Sequence, residues 1–336
     1  MGETEKLLIC GGAGLVLTAL LGLVVVPALR AAKVGQAIKA DGPVWHMGKQ
    51  GTPTMGGIMF IAAALCVSLA WGLWQKDWTA MVVFGCASVF GVIGFIDDFA
   101  KLRHHENTGL SAPAKFLLQL SAAILFTVVL QNLGHLKPDL VLPFVGAEHP
   151  LHLLRPVYLV FAALVMVGTV NAVNLTDGVD GLSSCVTMPV MLTFAVLASQ
   201  TDNKQGYGAF AACLLGCLVG FFLYNHHPAK VFMGDTGSLF LGGAVCGLAF
   251  ALDMPLILIF VGIVYILETL SDILQVFYFK LTKRRTGKGK RIFLMAPLHH
   301  HFEQKGWSEG KVVAVFATLS CLGCALGYLG FCNYMR

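Results

Sequence analysis

The stretch Met81-Val-Val-Phe-Gly-Cys-Ala-Ser-Val-Phe-Gly-Val-Ile-Gly-Phe-Ile-Asp97-Asp98-Phe-Ala-Lys101 decides the fold. Its residues 80–96 carry no charge, and roughly 17 residues of helix are just enough to cross about 30 Å of hydrocarbon. Two adjacent carboxylates then follow, with a lysine one turn later. A carboxylate at the bilayer centre costs about 2.5–3.5 kcal/mol on insertion scales and less near the interface. The pair therefore marks a membrane edge and asks for a reason to be there. Adjacent side chains point about 100° apart on a helix, so the two acids face different partners. An ordinary solvated helix end, with an ion pair to Lys101, is the plainer alternative.

Outward from this stretch, the whole chain reads the same way. Of its 336 residues 57% are hydrophobic and 12% charged, and the mean hydropathy is +0.75. This lies far from a soluble globular composition. Apolar runs of bilayer length recur at 7–29, 57–74, 80–96, 116–133, 156–174, 184–199, 207–225, 237–252, 255–279 and 312–333. They predict an all-α polytopic membrane protein of about ten transmembrane helices, a single integral membrane domain over 1–336 with no room for a soluble one. The acidic leader Glu3-Thr4-Glu5-Lys6 and the length of the first run suit a retained helix rather than a cleaved signal.

Loops after odd-numbered runs hold 17 of the 23 Lys and Arg. Cytoplasmic loops carry such an excess, so both termini are expected on the extracytoplasmic side. The basic cluster over 280–291 serves that topology and suits anionic membrane lipids or phosphate groups equally. No nucleic-acid partner is expected. All ten Cys lie in or beside apolar runs and read as packing residues, Cys321-Leu-Gly-Cys324 included. The segment 134–155, with Pro138, Pro143 and Pro150, reads as a turn-rich outer surface element.

Four polar clusters fall, by parity, on the cytoplasmic face. Besides Asp97-Asp98 they are Asn171-x-x-Asn174-x-x-Asp177-Gly178-x-Asp180, Asn225-His-His-Pro-Ala-Lys230 running into Phe232-Met-Gly234-Asp235-Thr-Gly-Ser238, and Pro297-Leu-His299-His300-His301-Phe-Glu303. The second offers oxygen ligands on a backbone that Gly lets turn tightly. The third precedes a helix whose free N–H groups suit a phosphate or a metal-bound diphosphate. The histidines suit phosphate contact or proton handling better than a zinc site, which one short run rarely closes. Taken singly, each is also an ordinary turn, cap or loop. Their placement on one face, and carboxylates with few soft partners, favour Mg²⁺ and phosphate substrates. Glu268 and Asp272 stand apart, deep in the ninth run with Gln275 on nearly the same face. They motivate an ion-coupled transporter as the rival class, or a ninth helix that is tilted, broken or lines the site.

Together with Gly51-Thr-Pro-Thr54-Met-Gly-Gly57, these motifs resemble the phospho-N-acetylmuramoyl-pentapeptide transferases, within the polyprenyl-phosphate N-acetylhexosamine-1-phosphate transferases. The likeness runs nearly end to end. It implies a Mg²⁺-dependent, homodimeric, multi-pass enzyme of the bacterial cytoplasmic (inner) membrane with its active site on the cytoplasmic face. UDP-N-acetylmuramoyl-pentapeptide and undecaprenyl phosphate would give lipid I and UMP. The resemblance further implies that Asp235 and Asp98 serve the metal and that Asp97 handles the acceptor phosphate as base, or that one of the aspartates is a covalent nucleophile. His299 and His300 would meet the diphosphate or nucleotide, Lys101 and Lys115 the substrate. Lys49, Thr54, Asn174, Asp177, Gly178, Asp180, Asn225, Phe232 and Gln275 would line the uridine and sugar-phosphate pocket. A relative using an N-acetylglucosamine donor is the nearer rival.

Overall fold

The structure, a computed structural model, describes residues 2–32, 51–104 and 109–332; Lys49 lies outside the described residues. The helices in chain order are α1 (Glu3–Ala31), α2 (Gly57–Gln75), α3 (Thr79–His104), α4 (Ala112–Asn132), α5 (Arg155–Thr176), α6 (Leu182–Ser199), α7 (Gln205–Asn225), α8 (Gly234–Ala251), α9 (Leu258–Val261), α10 (Ile263–Thr286), α11 (Leu298–Gln304) and α12 (Glu309–Phe331). Among the described residues nine helices are long and apolar enough to cross a bilayer, and a bent pair, Pro255–Val261 with Ile263–Thr286, brings the number to ten when counted as one broken span. The expected polytopic helical architecture is what folds.

Helices form here because lipid leaves a backbone no other partner for its N–H and C=O groups. Their arrangement follows from where small residues fall. Helix α8, rich in Gly and Ala, is buried along nearly its whole length and packs against α3 and α5. Outward faces carry large apolar groups such as Leu8, Leu23, Leu73, Leu154 and Leu164, which suit acyl chains. Small residues inside let helix backbones approach closely, where dispersion and not the hydrophobic effect drives association in lipid. Gly94 on α3 is the tightest case for the site. A Cβ there would run into the Asp235 carbonyl on the first turn of α8.

The structure departs from the sequence reading in four places. First, α3 does not stop at the two carboxylates but continues to His104, because Lys101 pairs with Asp97 at i, i+4 and carries the helix into the polar layer. Second, the outer segment contains a β-hairpin, β1 (Asp139–Leu142) with β2 (Gly146–His152) antiparallel, so the all-α expectation gives way to a helical bundle with one two-stranded ribbon. Third, the single run read over 255–279 divides into Pro255–Val261 and Ile263–Thr286, bent by 79°, which is the broken form among the alternatives for the ninth helix. Fourth, the His-rich loop winds into the short helix α11.

Gly94→Ala is expected to lower thermal stability in detergent by about 1–3 kcal/mol, the usual cost of overpacking a close contact. Gly85→Ala on the same helix, where a Cβ meets nothing within 4 Å, should leave the unfolding midpoint unchanged or slightly raised.

Candidate active site

The site begins with a helix end. The first N–H groups of a helix have no intrahelical partner, and in α8 they are met from another helix. Asp98 on α3 accepts from Thr236 N (2.9 Å), Thr236 Oγ1 (2.7 Å) and Asp235 N (3.2 Å). A charged acceptor at a helix N-terminus also sits favourably in the helix dipole. Both Asp98 oxygens are spent on this anchor and the residue is buried. The structure thereby uses it to hold the residue beside it, Asp235. The segment after Gly51 clasps the same turn through its backbone. Phe232 N donates to Pro53 O, Gly56 N to Phe232 O and Gly57 N to Met233 O. Thr54 is thereby buried within the site, beside Gly234.

Held this way, Asp235 faces Asp97 across two ammonium groups. Lys101 Nζ lies 2.7 Å from Asp97 Oδ2 and 2.9 Å from Asp235 Oδ2. Lys115 Nζ, reaching in from α4, lies 2.8 Å from Asp235 Oδ2 and 3.6 Å from Asp97 Oδ2. The remaining oxygens are also engaged. Asn174 Nδ2 donates to Asp235 Oδ1 at 2.9 Å, and Leu110 N donates to Asp97 Oδ1 at 2.8 Å. Buried ions need such pairing and hydrogen bonding to offset desolvation. Two acids and two bases make the cluster locally neutral. The hard oxygen donors of Asp235 and Asp97 are of the kind Mg²⁺ takes, so the residues fit such an ion.

The other expected residues surround this cluster, in part as scaffolding. Asn225 is buried and donates to Val231 O (3.0 Å), tying the end of α7 to the segment before α8. Asp180 accepts from Ala229 N (3.0 Å) and lies 3.1 Å from His227 Nδ1, which is also 3.4 Å from Glu309 Oε2. Among the described residues, this trio is the group of His, Cys, Asp or Glu side chains whose ligand atoms lie close enough together to hold an ion. Gln275 accepts from Ile292 N (2.9 Å) and Phe293 N (3.1 Å) and donates to Phe293 O, closing the basic segment onto α10. Phe232 and Asp177 are half-buried. Loss of solvent, with the negative fields of Asp235, Asp98 and Asp180, pushes the Asp177 carboxyl up to about 8. His300 Nδ1 pairs with Glu303 Oε2 at 2.7 Å and its ring lies 4.1 Å from that of His299.

All four polar clusters thus meet at one end of the bundle, Lys49 alone lying outside the described residues. The sequence reading missed Glu309 and the Leu110 amide, and carried His227 and Ser238 only as members of the third cluster; Ser238 takes a bond from Asn174 at 2.7 Å. Glu268 belongs here too. It grips His299 at 3.0 Å, which explains its burial as part of this site; Asp272, the other residue behind the transporter alternative, is half-buried. The only signal in the sequence was the cost of a carboxylate in an apolar run.

Asp98→Asn offers one acceptor oxygen where three donors converge, so the first turn of α8 should open more readily. Hydrogen exchange of peptides covering 233–238 should accelerate by about tenfold or more, the scale of a lost charge-assisted bond; Asp97→Asn should leave that exchange near the wild-type rate.

Comparison with known proteins agrees with this architecture. Residues 80–253 match glycosyl transferase family 4, and residues 49–61 match the first phospho-N-acetylmuramoyl-pentapeptide-transferase signature. Curated proteins of that name are similar over nearly full length. The one from Clostridium botulinum (strain Alaska E43 / Type E3) is 44% identical over 318 residues, 94% of each chain. Those from Caldanaerobacter subterraneus subsp. tengcongensis and Desulfitobacterium hafniense are 47% identical over 87% of this chain and 88% of the relative, and 41% identical over 98% of each. The chain belongs to the phospho-N-acetylmuramoyl-pentapeptide transferase family.

Proposed function

We propose that the chain is a single membrane catalytic domain that transfers phospho-N-acetylmuramoyl-pentapeptide from its UDP-activated donor to undecaprenyl phosphate, giving lipid I and UMP. The observation that carries the proposal is the neutral cluster of Asp97, Asp235, Lys101 and Lys115 at one end of a helical membrane bundle. It offers carboxylates and mobile ammoniums where two phosphates, one soluble and one lipid-borne, can meet.

In this reading an oxygen of the acceptor phosphate attacks the sugar-linked phosphorus of the donor. The diphosphate bond breaks and UMP leaves with its electron pair. A phosphate monoester, with a second pKa near 6, is mostly dianionic at pH 7, so Asp97 orients the acceptor and takes a residual proton when one is present. Lys101 and Lys115 leave their carboxylates for the incoming phosphates, where positioning and charge neutralisation carry most of the rate. Mg²⁺ held at Asp235 would supply further neutralisation of the diphosphate. Asp98 acts behind Asp235, keeping it in place. Thr54, Asn174, Asp177, Gly178, Asp180, Asn225, Phe232, Gln275 and His300 form the wall of the donor pocket, with Lys49 added from the preceding segment, and a uracil ring finds an aromatic face in Phe232. The site faces the cytoplasm of a bacterial inner membrane with both chain ends on the far side, and the enzyme works as a homodimer.

Purified protein with Mg²⁺, undecaprenyl phosphate and the UDP-muramoyl donor should release UMP, and Asp235→Ala should reduce release by at least about 100-fold, the scale of losing a charge-stabilising group. UMP formation no faster than in the Asp235→Ala protein would reject the reading. Faster turnover of a UDP-N-acetylglucosamine donor supplied side by side would reassign the sugar. Asp97→Asn should depress kcat far more than donor affinity, whereas a phospho-sugar trapped on the enzyme by rapid quench would establish a covalent route instead.

A further inference from the structure

Glu268 and His299 form a pair that the proposed chemistry has not yet used. Glu268 is 0% exposed and His299 1%. Glu268 Oε2 lies 3.0 Å from His299 Nδ1, while Oε1 accepts from the His299 backbone N–H at 3.3 Å. That N–H belongs to the first turn of α11 and has no helical partner of its own. The two contacts fix the carboxylate in rotation as well as position. An ionised carboxylate only accepts, so Nδ1 carries a proton.

The ring is left with one further polar atom. Nε2 is buried and, among the described residues, has no hydrogen-bond partner. Such an atom is costly to leave unpaired. It lies against Gly178, where a Cβ would collide with it, so the absence of a side chain at Gly178 is what lets the ring reach the Asn174–Asp180 segment. The carboxylate, the ring and the glycine thus direct a single unsatisfied nitrogen toward the donor side of the site.

We propose that Glu268 is a positioning residue that holds His299 with its Nε2–H directed at a phosphate oxygen of a nucleotide diphosphate. With Nδ1–H committed to Glu268, Nε2 meets an anion as N–H only when the ring is doubly protonated. The carboxylate then balances that charge, giving a relay of carboxylate, imidazolium and phosphate with charge-assisted bonds on both sides. The inference rests on the donor reading given above.

The isosteric Glu268→Gln variant tests it. A glutamine offers one acceptor oxygen to two N–H groups of His299 and sets its own NH₂ against the other, so the backbone bond breaks or the ring loses its tautomer. UDP and uridine binding to the purified full-length protein in detergent with Mg²⁺ is the readout, which remains legible where turnover is lost. Glu268→Gln should weaken UDP by about tenfold or more and leave uridine within about twofold, as expected for loss of one charge-assisted bond. His299→Ala should do the same, and the double variant should bind UDP no more weakly than His299→Ala alone. Unchanged UDP affinity in Glu268→Gln, equal losses for UDP and uridine, or additive losses in the double variant would each overturn the inference. Failure of the wild-type protein to bind UDP would instead reject the donor reading, and the inference with it.

Discussion

The site depends on one buried carboxylate closing the first turn of a helix that is not its own. Asp98 on α3 takes three donors from Asp235 and Thr236 at the start of α8, and Gly94 one turn earlier lets the two helices approach closely enough for that reach. The arrangement of the charged cluster follows from where this leaves Asp235. Two carboxylates that share a small buried space repel each other and resist ionisation together. Lys101 and Lys115 remove that conflict by lying against both. The four groups carry no net charge between them, and each lysine answers both carboxylates.

The bilayer explains why these groups collect at one end. Hydrocarbon penalises every unpaired polar group, so acids, amides and imidazoles gather where helices end. Glu268 departs from that rule because it sits on a span that is broken. The 79° bend turns α10 so that Glu268, Ser271 and Gln275 face inward while Leu270, Ile273, Leu274 and Phe277 remain exposed. One helix therefore supplies both an apolar outer face, suited to lipid, and an inner face that secures the His-rich helix and the basic segment after it.

Much of this was legible in the sequence, for identifiable reasons. Apolar runs of bilayer length report helices because lipid permits few other structures. Carboxylates beside such runs report a site because they are costly there. What the residues could not reveal were pairings set by packing. The partner of Asp98 lies 137 positions away, so its anchoring of α8 was not legible from the Asp97-Asp98 pair itself. The Glu268 pairing with His299 spans 31 positions across the basic segment, and the trio of Asp180, His227 and Glu309 joins three separate segments. The β-hairpin escaped notice because its strands are short and carry Pro143 and Pro150 at or near their ends, residues that argue against regular pairing.

Two acidic groups at the same end of the bundle compete for the role of cation site, and the account gives it to Asp235 opposite Asp97. Mn²⁺ in place of Mg²⁺, located by anomalous scattering in crystals of the protein, addresses this directly. The account predicts a peak within about 2.5 Å of an Asp235 carboxylate oxygen, normal for a hard cation on a carboxylate, with Lys101 or Lys115 turned away from its present partner. A peak at Asp180, His227 and Glu309 with none at Asp235 would contradict it.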